Sequence, residues 1–184
     1  MNESKIIKKV YYFSNSNLES KQANAIHTLK MCSAFTKNNY EITLFAKKGK
    51  GKVRLDQLYG IKINFPIIYN IWLPIQGVGG IIYGIRNFIS ALKSGIPTLV
   101  YGRDLYSILF SRLLFCKIRY ESHEPPNNRL RYFLEGNLFR LKRYEKLVVI
   151  SNALKDIYMD LYPFLKHDDI IVVHDGSDEV NEYD

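Results

Sequence analysis

The chain has 184 residues, with 47% apolar and 24% charged side chains, which suits one soluble domain with a hydrophobic core of its own. A net charge of +8 favours anionic partners without choosing among nucleic acid, acidic lipid and phosphorylated small molecules. The two cysteines, Cys32 in a helical pattern and Cys116 in an apolar run, read as small buried hydrophobes in a reducing cytoplasm, not as a disulfide or a metal pair.

The first nine residues are polar and basic without an apolar stretch, so no secretory signal is expected there. Residues 10–14 (VYYFS) form an apolar run that reads as the first strand and stops in a polar loop at 15–20. Residues 22–37 show helical spacing and end at Asn38 and Asn39. Residues 41–46 (EITLFA) read as the second strand. The loop KKGKGK at 47–52 is basic and glycine-containing, but it lacks the spacing of a phosphate-binding P-loop and reads as a solvated loop.

Residues 61–65 are expected to form the third strand. The stretch 63–85 carries no charge and is long enough to cross a bilayer. Pro66, Pro74 and the glycines at 77, 79, 80 and 84 would break one lipid-exposed helix, so a strand, an irregular loop and then a helix over 80–93 are expected instead.

The second half repeats the alternation. Strands are expected at 98–101 (TLVY), 117–121 (KIRYE), 147–150 (LVVI) and 170–173 (IIVV). Helices are expected at 105–115 with Asp104 as N-cap, at 130–143, and from the Ser151 cap to Tyr162 before Pro163. Strands separated by helices predict an α/β fold: a Rossmann-like, doubly wound parallel sheet with helices on both faces. LVVI and IIVV are apolar without alternation, as strands covered on both faces are. No linker divides the chain, so residues 1–178 read as one domain and the acidic residues 179–184 as a tail.

In such sheets ligands bind at the carboxyl ends of the strands, which selects the loops beginning at Ser14, Gly102, Ser122 and Ser151. The dinucleotide fingerprint G-x-G-x-x-G, the nucleophile elbow G-x-S-x-G and zinc-ligand spacing are all missing. No cofactor and no metal are therefore expected. The richest segment is Glu121-Ser122-His123-Glu124-Pro125-Pro126, directly after a strand. His123 there has the chemistry of an acid, a base or a hydrogen-bond donor near neutral pH, and Glu124 could bind a sugar hydroxyl. A plain turn, with the prolines ending the strand and His123 packing, explains the segment equally well.

Several stretches resemble the N-terminal domain of family 4 (group 1) glycosyltransferases of GT-B architecture. They are Ala23-Asn24-Ala25-Ile26-His27 through Leu44, Val100-Tyr101-Gly102-Arg103, Arg119 through Glu124 against that family's E-x-H-[DE] loop, and Leu147 through Leu154 followed by Ile171 through Asp178. The resemblance implies retaining transfer of a sugar from a nucleotide diphosphate sugar to a glycan or lipid-linked acceptor, in the synthesis of cell-surface polysaccharide or glycoconjugate. It makes His123 the residue near the reaction centre and implies substrate contacts from Ser14, Asn15, Ser16, Asn24, Arg103, Glu124, Ser151 and Asn152. The loop at Ser14 carries hydroxyls and amides where the family often has a glycine pair. In the family a second Rossmann domain follows, with most nucleotide contacts and a Glu-x7-Glu pair. No glutamate here has another eight positions on, so only part of a donor site is expected, completed by a C-terminal partner domain or subunit.

The competing reading is a non-catalytic binding protein whose basic, tyrosine-rich surface holds RNA by stacking and Lys/Arg contacts. The aromatics fall mostly inside strands and helices and no RNP-type motif occurs, so no nucleic-acid partner is expected. The stretch 129–146 combines Arg129, Arg131, Arg140, Lys142, Arg143 and Lys146 with Leu130, Phe133, Leu134 and Leu138. It reads either as an ordinary crossover helix or as an interfacial one, attaching a cytoplasmic protein to the inner face of the plasma membrane.

Overall fold

A computed structural model describes residues 8–51 and 53–174. The extreme N-terminus, Lys52, and the segment from Asp175 on, including the tail at 179–184, lie outside the described residues. The elements run β1 (Lys9–Asn17), α1 (Ala23–Lys37), β2 (Glu41–Lys47), α2 (Leu55–Tyr59), β3 (Ile67–Asn70), α3 (Gly79–Lys93), β4 (Leu99–Gly102), α4 (Leu105–Phe110), β5 (Lys117–Ser122), α5 (Arg129–Phe139), β6 (Tyr144–Val149), α6 (Asn152–Leu161) and β7 (Ile170–Val172). Short 3₁₀ turns follow α4 and precede β7.

All seven strands are parallel, in the order β3-β2-β1-β4-β5-β6-β7. This is the doubly wound Rossmann-like sheet that the strand–helix alternation predicts. Strand order reverses between β1 and β4, and that switch point is where such sheets form a ligand crevice.

Side-chain alternation along each strand divides the core. Tyr11, Phe13, Val100, Ile118, Tyr120, Leu147 and Val149 face α3–α6 and pack with Ala91, Ile108, Leu138 and Tyr158. Val10, Tyr12, Leu44, Tyr101 and Val148 face α1 and α2 and pack with Leu29, Cys32 and Leu55. Both cysteines are buried and unpaired. Many of the aromatic rings that could have stacked on nucleic-acid bases are fully buried: Tyr11, Tyr12, Phe13, Phe45, Tyr83, Tyr120, Tyr158 and Tyr162.

The strand expected at 61–65 lies elsewhere, at Ile67–Asn70. Pro66 has no N–H to give a ladder, yet its carbonyl accepts from Leu44 N at 3.0 Å. Pairing therefore starts just beyond it, with Leu44 opposite Ile67. The helix expected over 130–143 ends at Phe139, and Tyr144–Lys146 joins β6 instead, with a bulge against Ile118 and Arg119. Among the described residues no helix is long and apolar enough to cross a membrane. The amides of Lys50 and Gly51 in the basic glycine loop donate to the Glu19 carboxylate at 2.9 and 2.8 Å, so an anion of the chain itself occupies them.

Candidate functional site

The carboxyl edge of β1, β4 and β5 is built around a close approach. Arg103 N donates to Phe13 O at 2.9 Å. Gly102 makes this approach possible: its φ is 150°, and a Cβ there would lie 2.1 Å from Phe13 O. Next to it, Asp104 caps α4, accepting from Ser107 N at 3.0 Å and also from the Ser107 hydroxyl. Burial pushes the Asp104 carboxyl up, against the pull of those hydrogen bonds and of Lys47.

A cleft of about 480 Å³ opens at this edge. Its polar wall includes Asn15, Arg103, Glu121, His123, Glu124 and Arg131, and its apolar wall includes Trp72, Leu105, Tyr106, Leu130 and Leu134. A few polar groups set among apolar side chains is the usual make-up of a small-molecule site.

The centre of the polar wall is Glu121, only 3% exposed. One of its oxygens, Oε1, lies 2.8 Å from His27 Nε2, 2.6 Å from His123 Nε2 and 3.9 Å from Arg103 Nε. The Tyr12 hydroxyl donates to Oε2 at 3.3 Å. Burial alone would raise the Glu121 carboxyl, but the hydrogen bonds from His123 and His27 outweigh it and hold the group well below the ordinary carboxylate range. An ionised carboxylate only accepts, so both imidazoles must carry their proton on Nε2. In a neutral ring Nδ1 is then an acceptor. The two rings meet edge to face, 5.2 Å between centroids. One shared anion thus fixes the tautomer and orientation of two imidazoles, of which His123 lines the cleft, where it is suited to hydrogen bonding a polyhydroxylated ligand or moving a proton.

His27, Glu121 and His123 also bring three ligand atoms within 4.8 Å of one another. Two imidazoles and a carboxylate are a zinc-type donor set, but the Arg103 cation beside the same oxygen works against a divalent ion.

The loop carrying His123 is held from the opposite face of the sheet. Ser122 Oγ donates to Glu124 O at 2.8 Å, and the Tyr158 hydroxyl donates to Ser122 Oγ at 2.8 Å. Arg131 reaches Glu124 Oε1 at 2.7 Å and Glu135 Oε1 at 2.8 Å. Glu135 is fully buried, accepts from the hydroxyls of Tyr120 and Tyr162, and lies 3.2 Å from the Tyr158 oxygen.

Of the residues singled out in the sequence, Asn15, Arg103, His123 and Glu124 come together in the cleft wall. Ser14 and Ser16 do not line it: both are buried, with the Ser14 hydroxyl 3.2 Å from that of Thr28 and accepting from Ser16 N. Asn24 sits on α1 with its Oδ1 buried and unpartnered. Ser151 is the N-cap of α6, accepting from Leu154 N at 3.1 Å, and Asn152 is exposed beside it. Sequence reasoning misses His27, Glu121 and Arg131 as site residues. Glu121 is visible as the glutamate two positions before His123, whereas the pairing of His27 with a residue 94 positions away leaves no local signal.

No protein-family model matches the sequence, and no curated protein matches it. Solved structures do. A glycosyltransferase from Rickettsia africae ESF-5 superimposes with a TM-score of 0.63 at 14% identity, covering 93% of this chain and 44% of that one. The lipopolysaccharide outer core galactosyltransferase WaaB in its apo form gives 0.60 at 14%, covering 92% and 46%. A putative UDP-N-acetylglucosamine 2-epimerase from Listeria monocytogenes gives 0.60 at 12%, covering 90% and 45%. At these identities the likeness is one of fold: this chain has the Rossmann-like architecture of one half of a GT-B protein. It spans less than half the length of the structures it matches.

Proposed function

We propose that the chain is the N-terminal, acceptor-side half of a retaining glycosyltransferase of the family 4 type. In this reading it works with a second Rossmann domain that holds most of a nucleotide diphosphate sugar. The observation that carries the reading is the His27–Glu121–His123 cluster at the strand-order switch point, whose Glu121 and His123 line a cleft of about 480 Å³. His123 presents an oriented imidazole to sugar hydroxyls, His27 helps to hold the Glu121 carboxylate that orients it, and Arg103 and Asn15 stand in the same wall for anionic or hydroxylated groups of the substrate. Trp72, Tyr106, Leu130 and Leu134 supply an apolar wall suited to a sugar ring face or to the lipid end of a glycan acceptor. The protein works in the cytoplasm, at the inner face of the plasma membrane, in assembly of a cell-surface glycan.

Transfer assays with a panel of nucleotide diphosphate sugars test this. The isolated chain should transfer at most very weakly, because half a cleft cannot hold donor and acceptor in register. Joined to a C-terminal nucleotide-sugar-binding domain, it should transfer sugar and lose that activity on His123→Ala. Robust turnover by the isolated chain would overturn the assignment as a half-enzyme. Salt-sensitive RNA affinity with no response to sugar nucleotides or glycans would overturn the reading altogether.

A further inference from the structure

The outer face of α3 is apolar where a surface crossover helix is normally polar. Ile75, Val78, Ile85, Ile89, Leu92 and Ile96 are all exposed, from 39% at Ile85 to 72% at Ile96. Their spacing of three, four and seven residues places those on the helix along one stripe. The opposite face of α3 is fully used: Tyr83, Gly84, Asn87 and Ala91 are buried, and Gly84 packs against Tyr106 and Phe110 of α4 so closely that a Cβ would clash. The stripe is therefore surplus to the core. A shallow depression of about 380 Å³ adjoins it, lined by Lys48, Asn70, Arg86 and Ser90 together with Ile71 and Ile89 of the apolar surface. Its lining holds two cations and no carboxylate. The surrounding sequence has no Asp or Glu between Asp56 and Asp104, while Lys62, Arg86, Lys93 and Arg103 fall inside that interval.

We propose that this face docks on an anionic phospholipid bilayer, the α3 stripe entering the acyl boundary and lipid phosphate settling at Lys48 and Arg86. Apolar side chains in a stripe, basic residues beside it and no acid along it are the requirements of an interfacial helix face. A second copy of the chain fits less well, because pairing α3 with itself would bring the basic Arg86 and Lys93 of one copy against those of the other with no acid on either helix. The α5 stretch that the sequence offers for the same role is largely committed to the protein. Leu138 and Phe139 are buried, Arg131 is held by Glu124 and Glu135, and Arg140 and Arg143 lie over Phe164 and Phe115. Docking through α3 sharpens the membrane part of the proposed function and does not depend on glycosyl transfer.

Trp72, the one tryptophan, lies in the loop between Ile71 and Ile75 and serves as a native probe. The purified chain is mixed, without sugar nucleotide, with phosphatidylcholine vesicles containing or lacking phosphatidylglycerol, and with brominated acyl chains as quencher. Flotation and Trp72 quenching should appear only with phosphatidylglycerol and fade with salt. Ile89→Glu/Leu92→Glu should weaken binding at least about tenfold, and Lys48→Gln/Lys93→Gln should weaken it less and flatten its salt dependence. Phe133→Glu on α5, outside the cleft lining, should bind as the parent does. All these side chains are exposed, so folding, checked by circular dichroism, should be retained. No binding to anionic vesicles at low salt, binding that survives the α3 charges but not the α5 one, or a dimer dissolved by Ile89→Glu without vesicle binding would each overturn the proposal.

Discussion

Two buried carboxylates flank strand β5, and their surroundings differ in kind. Tyr120 and Glu121 are neighbours on the strand and so point to opposite faces. On one face Tyr120 donates to Glu135 of α5, which also gathers Tyr158, Tyr162 and Arg131. On the other face Glu121 gathers two imidazoles, a more distant guanidinium and the Tyr12 hydroxyl. The donors to Glu135 do not change charge near neutrality. Burial, reinforced by Glu135, pushes the hydroxyls of Tyr120, Tyr158 and Tyr162 up. At Arg131 burial would lower the guanidinium, but Tyr120 and Glu135 raise it on balance. The principal donors to Glu121 are two histidines, of which His123 lines the cleft. The first cluster is built to stay as it is, and it pins the loop that holds the second. The second holds two imidazoles by one shared carboxylate oxygen, one of them at the cleft wall.

Breaking the structural cluster should cost most. Glu135→Ala leaves Arg131 without its buried partner and the Tyr120 hydroxyl without its acceptor, so a loss of about 3–5 kcal/mol is expected. Urea unfolding would measure it, and a midpoint unchanged within error would show that Glu135 does not anchor this cluster. Gly102→Ala should fall in a similar range, about 3 kcal/mol or more, because the new methyl meets the Phe13 carbonyl at the switch point. It should also pull β4 from β1, which loss of amide-exchange protection around residues 13 and 102 would reveal.

The cleft cluster should show the reverse pattern. His123 is 18% exposed and donates one of several hydrogen bonds that the buried Glu121 carboxylate accepts, so His123→Ala should cost about 1–3 kcal/mol of stability, less than Glu135→Ala. In a reassembled two-domain enzyme it should lower kcat by about 10²–10⁴-fold if the ring handles a proton. A fall in activity that merely tracks lost stability would make His123 a packing residue. Glu121→Gln is expected to keep the fold but loosen both imidazoles, since the amide is uncharged and offers one acceptor oxygen and a donor NH₂ where the carboxylate offers two acceptor oxygens. Its stability cost should be about 1–3 kcal/mol, with a shifted pH–rate profile as the reading that a purely structural role would leave alone.

These contrasts also show what a linear sequence can carry. The Asp104 and Ser151 caps, the parallel sheet and the position of His123 after β5 are local or periodic properties, and they are legible. The third strand lies away from its expected place because Ile61–Ile63 and Ile67–Ile68 are equally β-prone, and the register of β2 decides between them. Helix α2 (Leu55–Tyr59) is a single short turn with too few residues to show a period. The Glu121–His27 contact spans the sheet from β5 to α1, and only the closing of strand order around β1 and β4 creates it. The α3 stripe is visible as a run without charge, but which side of the helix stays uncovered is set by how Gly80 and Gly84 seat against Tyr106.

The smallest effect expected is in acid, at Glu121. The Glu121 carboxyl is depressed in the folded chain: burial opposes ionisation, but the hydrogen bonds from His123 and His27 prevail. In the unfolded chain a glutamate titrates near about 4.3. Above that value both states are ionised, and the stabilisation from the cluster is fully present. As pH falls below it the unfolded chain takes up a proton that the folded chain refuses, so stability drops progressively toward the folded value. Glu121→Gln has no such proton to take up. Its stability should therefore decline less steeply than the parent's between about pH 5 and pH 3, where urea midpoints of the two chains should converge. Parallel curves across that interval would mean that the two imidazoles do not hold the carboxylate ionised, and the shared-anion account of the cleft would fall with it.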